Sequence, residues 1–281
     1  MGKNAGMAVP TSRIDISPTV EDLEFAAAHA VVTVMTTAIR ERRGCLIALS
    51  GGITPRGVYR RLGDLLASQS VDLSRTHFIL TDERMVAPDD PESNYAMIQH
   101  ELISRVHLPP LNIHRIKGEL EAEAAAHDYE RELQTLLPLF AGRCDMILLG
   151  IGDDGHTASL FPGTDILREQ GKTALAVFVP RLGVWRVTLT LRVMNRARSV
   201  MFLVTGKRKA AIVRKILAEA KVNENIPATL VRPNEGTLTW MLDAESASQF
   251  LSEGSSQSAG TISDVAAQRR GAKDTTEGEK E

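Results

Sequence analysis

Short apolar runs that stop abruptly at glycine or polar residues constrain this chain most. Residues 45–49, 76–81, 146–149 and 200–205 are such runs. Apolar runs of this length, bounded by turn residues, read as strands buried on both faces of a sheet. Between them lie longer segments of helical character. Residues 21–43 are rich in alanine and aliphatic side chains and end at Gly44, which predicts a helix with a glycine stop. Thr54 and Pro55 predict the cap and first residue of a helix to about residue 67. Ser93 predicts the cap of a helix to about residue 104, and residues 119–137 and 207–220 predict two more. Further strands are expected at 112–116, 174–179, 186–191 and 238–242. Strands alternating with helices imply an α/β fold: a doubly wound, mainly parallel sheet with helices on both faces.

Composition narrows the class. Of 281 residues, 43% are hydrophobic and 24% charged, enough to build a sizeable core. The expected division is a flexible N-terminus (1–12), a single α/β catalytic domain (13–251) and a disordered polar tail (252–281). Net charge is −2 with both signs interspersed, and no basic tract tracks a nucleic-acid backbone, so nucleic acid is not an expected partner. The N-terminus lacks the apolar core of a signal peptide, and no apolar run reads as long enough to span a bilayer. Cys45 and Cys144 each start a predicted strand and read as buried thiols, which points to a reducing cytoplasm. A monomer is the expected state.

Three strand ends carry residues suited to chemistry. The first is GIGDDGHTASLFPG, residues 150–163. Gly150, Gly152 and Gly155 permit left-handed backbone and close approach of a ligand, and His156 can move a proton near neutral pH. Loops at the carboxyl ends of strands are where open α/β sheets place their ligands. Residues 150–155 match G-x-G-x-x-G, but in mid-chain, and the next predicted strand ends in Pro180 rather than an acid for a ribose. Asp154, His156 and Ser159 do not make a convincing triad, because triad members come from separate elements and the chain has no G-x-S-x-G elbow.

The second is SGGITP, where Ser50, Gly51, Gly52 and Thr54 precede a predicted helix. Backbone N–H groups would converge there on a phosphate, although a capped turn that binds nothing has the same appearance. It is not a Walker loop, since Val58 stands where the lysine should be. The third is TDERMV. Side chains alternate at a strand end, so Asp82, Glu83 and Arg84 cannot all face one cleft. Asn94 and Tyr95 either line the same cleft or are ordinary helix residues. Lys209, in TGKRKA, either reaches an anion held at a neighbouring strand end or belongs to a solvated basic turn. The other histidines have no metal-ligand spacing, so neither metal nor organic cofactor is expected.

Taken in order, SGGITP, TDERMVAPDDPESNYAM, LGIGDDGHTASLFPG and RVTLTLRVMNRARSVMFLVTGKRKA resemble the 6-phosphogluconolactonases, and IPATLVRP resembles a further C-terminal element of that family. The resemblance covers residues 20–243. It implies a fold like that of the glucosamine-6-phosphate deaminases and hydrolysis of 6-phospho-D-glucono-1,5-lactone to 6-phospho-D-gluconate, the second step of the oxidative pentose phosphate pathway. The implied partner is that sugar-phosphate lactone. Ser50, Gly51, Gly52 and Thr54 would hold its phosphate, with Lys209 as countercharge and Arg186 joining them. PRLGVW departs from the family's usual approach to that arginine, so Arg181 shares or takes the role. Asp82 and Arg84 would flank the sugar ring, and Asp154 and His156 the reacting carbon. The deaminases carry a Phe-Asn-Glu-Pro run after their histidine, whereas here Ala158 to Pro162 read ASLFP and no carboxylate comes before Asp165. Alternatives are a deaminase or isomerase, a nicotinamide-dependent oxidoreductase, and a non-catalytic sugar-phosphate sensor.

Overall fold

Seven strands run parallel in one sheet, in the spatial order β1-β10-β9-β6-β2-β3-β5. They are β1 (Ser12–Ser17), β2 (Cys45–Leu49), β3 (Thr76–Leu80), β5 (Ile113–His114), β6 (Met146–Leu149), β9 (Ser199–Val204) and β10 (Thr237–Asp243). The computed structural model describes residues 12–257 except 70 and 220. Residues 1–11 of the expected flexible start and 258–281 of the expected tail lie outside the described residues. Every residue of β2 and β6 is buried, and all of β9 but its first, which is why these segments read as unbroken apolar runs.

From β2 the chain moves outward through β3 to β5, then returns beside β2 as β6 and moves the other way through β9 to β10. Right-handed crossovers taken in opposite directions place their helices on opposite faces of the sheet. This is the doubly wound, mainly parallel α/β architecture expected. The helices are α1 (Val20–Arg42), α2 (Thr54–Ser68), α3 (Asn94–Glu101), α4 (Ala122–Leu136), α5 (Leu191–Met194), α6 (Ala210–Glu219) and α7 (Ala244–Gln257). Helix α1 packs on α2 and the sheet, and α6 packs on α7.

Several details differ from expectation. A second, three-stranded antiparallel sheet is made by β4 (Asp82–Arg84), β8 (Val184–Leu189) and β7 (Ala174–Val179), with α4 packed against β7 and β8. The sequence offered 82–84 only as a strand-end turn, because three polar residues show no apolar period. Strand β1 was not anticipated either: it is a partly exposed edge strand with no continuous apolar run. Helix α7 carries the fold past residue 251, where the tail was expected to start soon after. Helix α1 ends on Arg43 at φ 65°, not on Gly44. Thr54 lies inside α2 and caps nothing, whereas Ser93 does cap α3 by accepting from Ala96 N. By length and apolar composition α1 would reach across a bilayer, contrary to the expectation that no run is long enough. It is a core helix here: Leu23, Ala27, Ala28, Val31 and Met35 are fully buried.

Asp145 joins the strands below the point where the winding reverses. Its backbone N–H donates to Leu46 O at 2.8 Å and its Oδ2 accepts from Leu46 N at 2.9 Å. Arg42 at 3.0 Å and Arg198 at 3.3 Å complete the cluster on its Oδ1. The carboxylate is buried, so its removal strands a backbone donor and two guanidinium groups. Asp145→Ala should cost about 2 to 3 kcal/mol in urea unfolding. A change below about 0.5 kcal/mol, the range of an ordinary surface substitution, would show that the clamp contributes nothing.

Candidate active site

The winding reverses between β2 and β6, and open α/β sheets bind ligands in the crevice at the carboxyl ends of such a pair. A cleft of about 610 Å³ lies there. The loops after β2, β6 and β9 line it, together with residues from β4 and β8. Ser50, Gly51, Gly52, Thr54, Asp82, Arg84, His156, Arg186 and Lys209 all line this cleft. Asp154, the remaining expected residue, stands behind the imidazole.

On the β2 side, Gly51 has no room for a side chain: a Cβ there would lie 1.7 Å from Asn94 Oδ1. The backbone thus packs directly on the α3 residue that donates to Asp82 O at 2.8 Å. Thr54 Oγ1 bonds Thr205 Oγ1 at 2.9 Å, tying the β2 loop to the end of β9. The Ser50 hydroxyl is buried and has no protein partner.

Strand alternation sorts Asp82, Glu83 and Arg84. Asp82 and Arg84 face the cleft, and Glu83 turns the other way onto the N-terminus of α3. Its carboxylate accepts from Asn94 N at 2.7 Å, Tyr95 N and Arg84 N at 2.8 Å, and Ser93 Oγ at 3.0 Å. Burial still pushes its carboxyl above the ordinary range, against those donors. Glu83 is therefore a helix anchor. Of the two residues after Ser93, Asn94 lines the cleft and Tyr95 does not.

Asp82 is buried and takes three hydrogen bonds. It accepts from Ser159 Oγ at 2.6 Å, Thr81 Oγ1 at 3.2 Å and Asn94 Nδ2 at 3.3 Å, and Arg186 Nη1 lies 3.8 Å away. Ser159 thus serves Asp82 and not His156. Arg84 donates to Glu92 O. The Nε atoms of Arg84 and Arg186 are buried without a hydrogen-bond partner, and both side chains line the cleft.

The β6 loop forms no helix between Gly150 and Gly163, which removes the helix that a dinucleotide fingerprint needs. Of its first three glycines only Gly155 takes a positive φ, 82°. Gly152 matters for space: a Cβ there would lie 2.1 Å from His156 Nδ1. The ring folds back over it, and His156 Nδ1 meets Asp154 Oδ1 at 2.5 Å. Ala158 is held at φ 47°, a left-handed conformation that a residue with a side chain rarely takes. Phe161 stacks on the imidazole at 4.2 Å between ring centroids, and the Arg186 guanidinium lies 5.8 Å from the Phe161 ring centroid.

Burial lowers the His156 pKa below its ordinary value, although Asp154 opposes the shift. Burial alone would raise Asp154, but the charge and hydrogen bonds of His156, with Arg181, outweigh it and keep the carboxyl low. The pair at neutral pH is a carboxylate holding a neutral imidazole by its Nδ1–H. That tautomer leaves the Nε2 lone pair to accept a proton. Arg181 sits 3.0 Å from Asp154 Oδ2 and does not line the cleft, whereas Arg186 does. Lys209 Nζ is 2.5 Å from Asp153 Oδ1. Among the described residues no three His, Cys, Asp or Glu side chains form a group able to hold a metal ion.

Sequence reasoning did not single out Asp153, Phe161 or Thr205. Asp153 and Phe161 lay inside a quoted motif, and Thr205 was only a strand end. No local pattern announces a partner contributed by another strand.

The family model described as glucosamine-6-phosphate isomerases/6-phosphogluconolactonase matches residues 18–240. A 6-phosphogluconolactonase of Synechocystis is 38% identical over 237 residues, covering 83% of this chain and 96% of that protein. The solved 6-phosphogluconolactonase of Trypanosoma brucei superposes with a TM-score of 0.75 at 30% identity, covering 85% of this chain and 98% of that one. A solved monomeric glucosamine-6-phosphate deaminase has the same fold, with a TM-score of 0.71 at 25% identity over 84% of this chain and 99% of its own length. By its sequence and its fold, this chain belongs to the glucosamine-6-phosphate isomerase/6-phosphogluconolactonase family.

Proposed function

We infer that this chain is a 6-phosphogluconolactonase, hydrolysing 6-phospho-D-glucono-1,5-lactone to 6-phospho-D-gluconate with water activated by His156. The observation that carries the reading is a neutral, Asp154-oriented imidazole in a cleft that also holds a glycine loop and cationic side chains, Arg84, Arg186 and Lys209 among them. A deaminase would need a second carboxylate after the histidine. The first one here, Asp165, is exposed and outside the cleft.

In this reading the Ser50–Thr54 loop takes the phosphate, with Lys209 and Arg186 as countercharges, and fixes the lactone carbonyl near His156. Nε2 removes a proton from water as its oxygen attacks the carbonyl carbon. The new oxyanion is met by Arg84 or loop N–H groups. The tetrahedral intermediate then expels the ring oxygen, which takes the proton back from the imidazolium. Asp154 holds the tautomer and supports the transient positive charge. Asp82, held by three donors, keeps Ser159 and Arg186 in place rather than moving protons. We propose a monomer as the working state. The buried thiols Cys45 and Cys144 suit the reducing cytoplasm in which we place the enzyme.

Four outcomes are expected. His156→Ala should lose about 10²- to 10⁴-fold in kcat with little change in KM; near-wild-type turnover would sink the assignment. A base must be unprotonated, so activity should fall as pH drops through a pKa below the ordinary imidazole value of about 6.5. Asp154→Asn removes the carboxylate that opposes this depression, so the acid limb should move lower still while kcat falls; an unmoved limb would dissociate Asp154 from the imidazole. Lys209→Ala should raise KM roughly tenfold and spare kcat, as loss of one charge-assisted contact does; an unchanged KM would remove Lys209 from the phosphate site.

A further inference from the structure

Two adjacent aspartates follow β6 and turn to different partners. Asp154 takes His156 and Arg181. Asp153 takes the basic turn after β9: its Oδ1 is 2.5 Å from Lys209 Nζ and its Oδ2 is 2.7 Å from Arg208 Nη2. The two cations are not equivalent. Both side chains line the cleft, but that of Arg208 is 86% exposed, so its share of the pair is screened by water, whereas that of Lys209 is 23% exposed. Asp153 is half exposed and does not line the cleft. The ammonium group facing a bound phosphate is thus already occupied by a carboxylate at the cleft's rim. The bonds from Lys209 and Arg208 hold that carboxyl down to about 2, so it is anionic throughout the working pH range.

We propose that Asp153 sets the affinity of the cleft for phosphorylated ligands by competing with their phosphate for Lys209. The proposal rests on the phosphate site described above. A phosphate dianion outbids a single carboxylate for an ammonium group, so the ligand enters by exchange rather than by filling an empty charge site. The substrate and its hydrolysis product both carry this group, so the same exchange in reverse, with Asp153 returning to Lys209, speeds product release.

Asp153→Asn removes the charge and keeps the shape. Binding of inorganic phosphate, followed as competitive inhibition and as thermal stabilisation, should tighten roughly three- to tenfold. KM for the phosphorylated lactone should fall by a similar factor, with kcat moving far less. Raised ionic strength should narrow the difference between variant and wild type. In a Lys209→Ala background the same substitution should change phosphate affinity far less. Unchanged or weakened phosphate binding in Asp153→Asn would overturn the proposal, making Asp153 a support that merely positions the lysine. Equal tightening in both backgrounds would also overturn it, because the effect would not run through Lys209. Phosphate binding is read without turnover, so failure of the lactonase reading shows separately, as absent hydrolysis by the wild-type protein.

Discussion

The parallel pairing of β2 with β6, from which the chain winds away in opposite directions, is the constraint on which the rest depends. It leaves two strand ends side by side with no crossover covering them, and β9 brings a third on the far side of β6. The buried Asp145 cluster fixes that pairing from the opposite end of the strands. A one-residue slip of β6 against β2 would turn its side chains over and carry the 150–163 loop out of position. The cleft is therefore a consequence of sheet register before it is a collection of side chains.

The loop bearing His156 gains rigidity without secondary structure. Gly152 N donates to His156 O at 2.8 Å, Thr157 Oγ1 to Gly150 O at 2.8 Å, and Ala228 N to Gly155 O at 3.0 Å. Ser159 is pinned to Asp82 on the second sheet, so the strained Ala158 backbone is held from both sides. Phe161 presses on the imidazole and lies beside Arg186, which shields one face of the ring from water. That burial keeps the base neutral, and Asp154 keeps its accepting nitrogen in the cleft. A site so supported holds its geometry before any ligand arrives.

Charge is divided along the 150–163 loop in a way that neighbouring identical residues conceal. Asp153 and Asp154 are chemically the same, yet one is committed to a basic turn and the other to an imidazole. Asp82 and Glu83 show a similar split, one facing the cleft and the other satisfying the N-terminus of α3. In both cases the backbone direction at a strand end, not residue type, assigns the role.

The sequence by itself determined the parallel α/β architecture, because strands buried on both faces must be continuously apolar and therefore stand out. It also singled out the strand ends after β2, β3, β6 and β9, whose residues line one cleft in the structure, because glycines, carboxylates and a histidine there conflict with simple turn-making. Edge strand β1 and the three polar residues of β4 were not legible, since neither carries an apolar period. Only the tertiary structure decided that Glu83 is an anchor, that Ser159 serves Asp82, that Arg181 belongs to Asp154 and that Lys209 is held by Asp153. Each of these pairings joins segments brought together by packing or turned apart by local backbone direction, and one-dimensional spacing does not encode which oxygen meets which nitrogen.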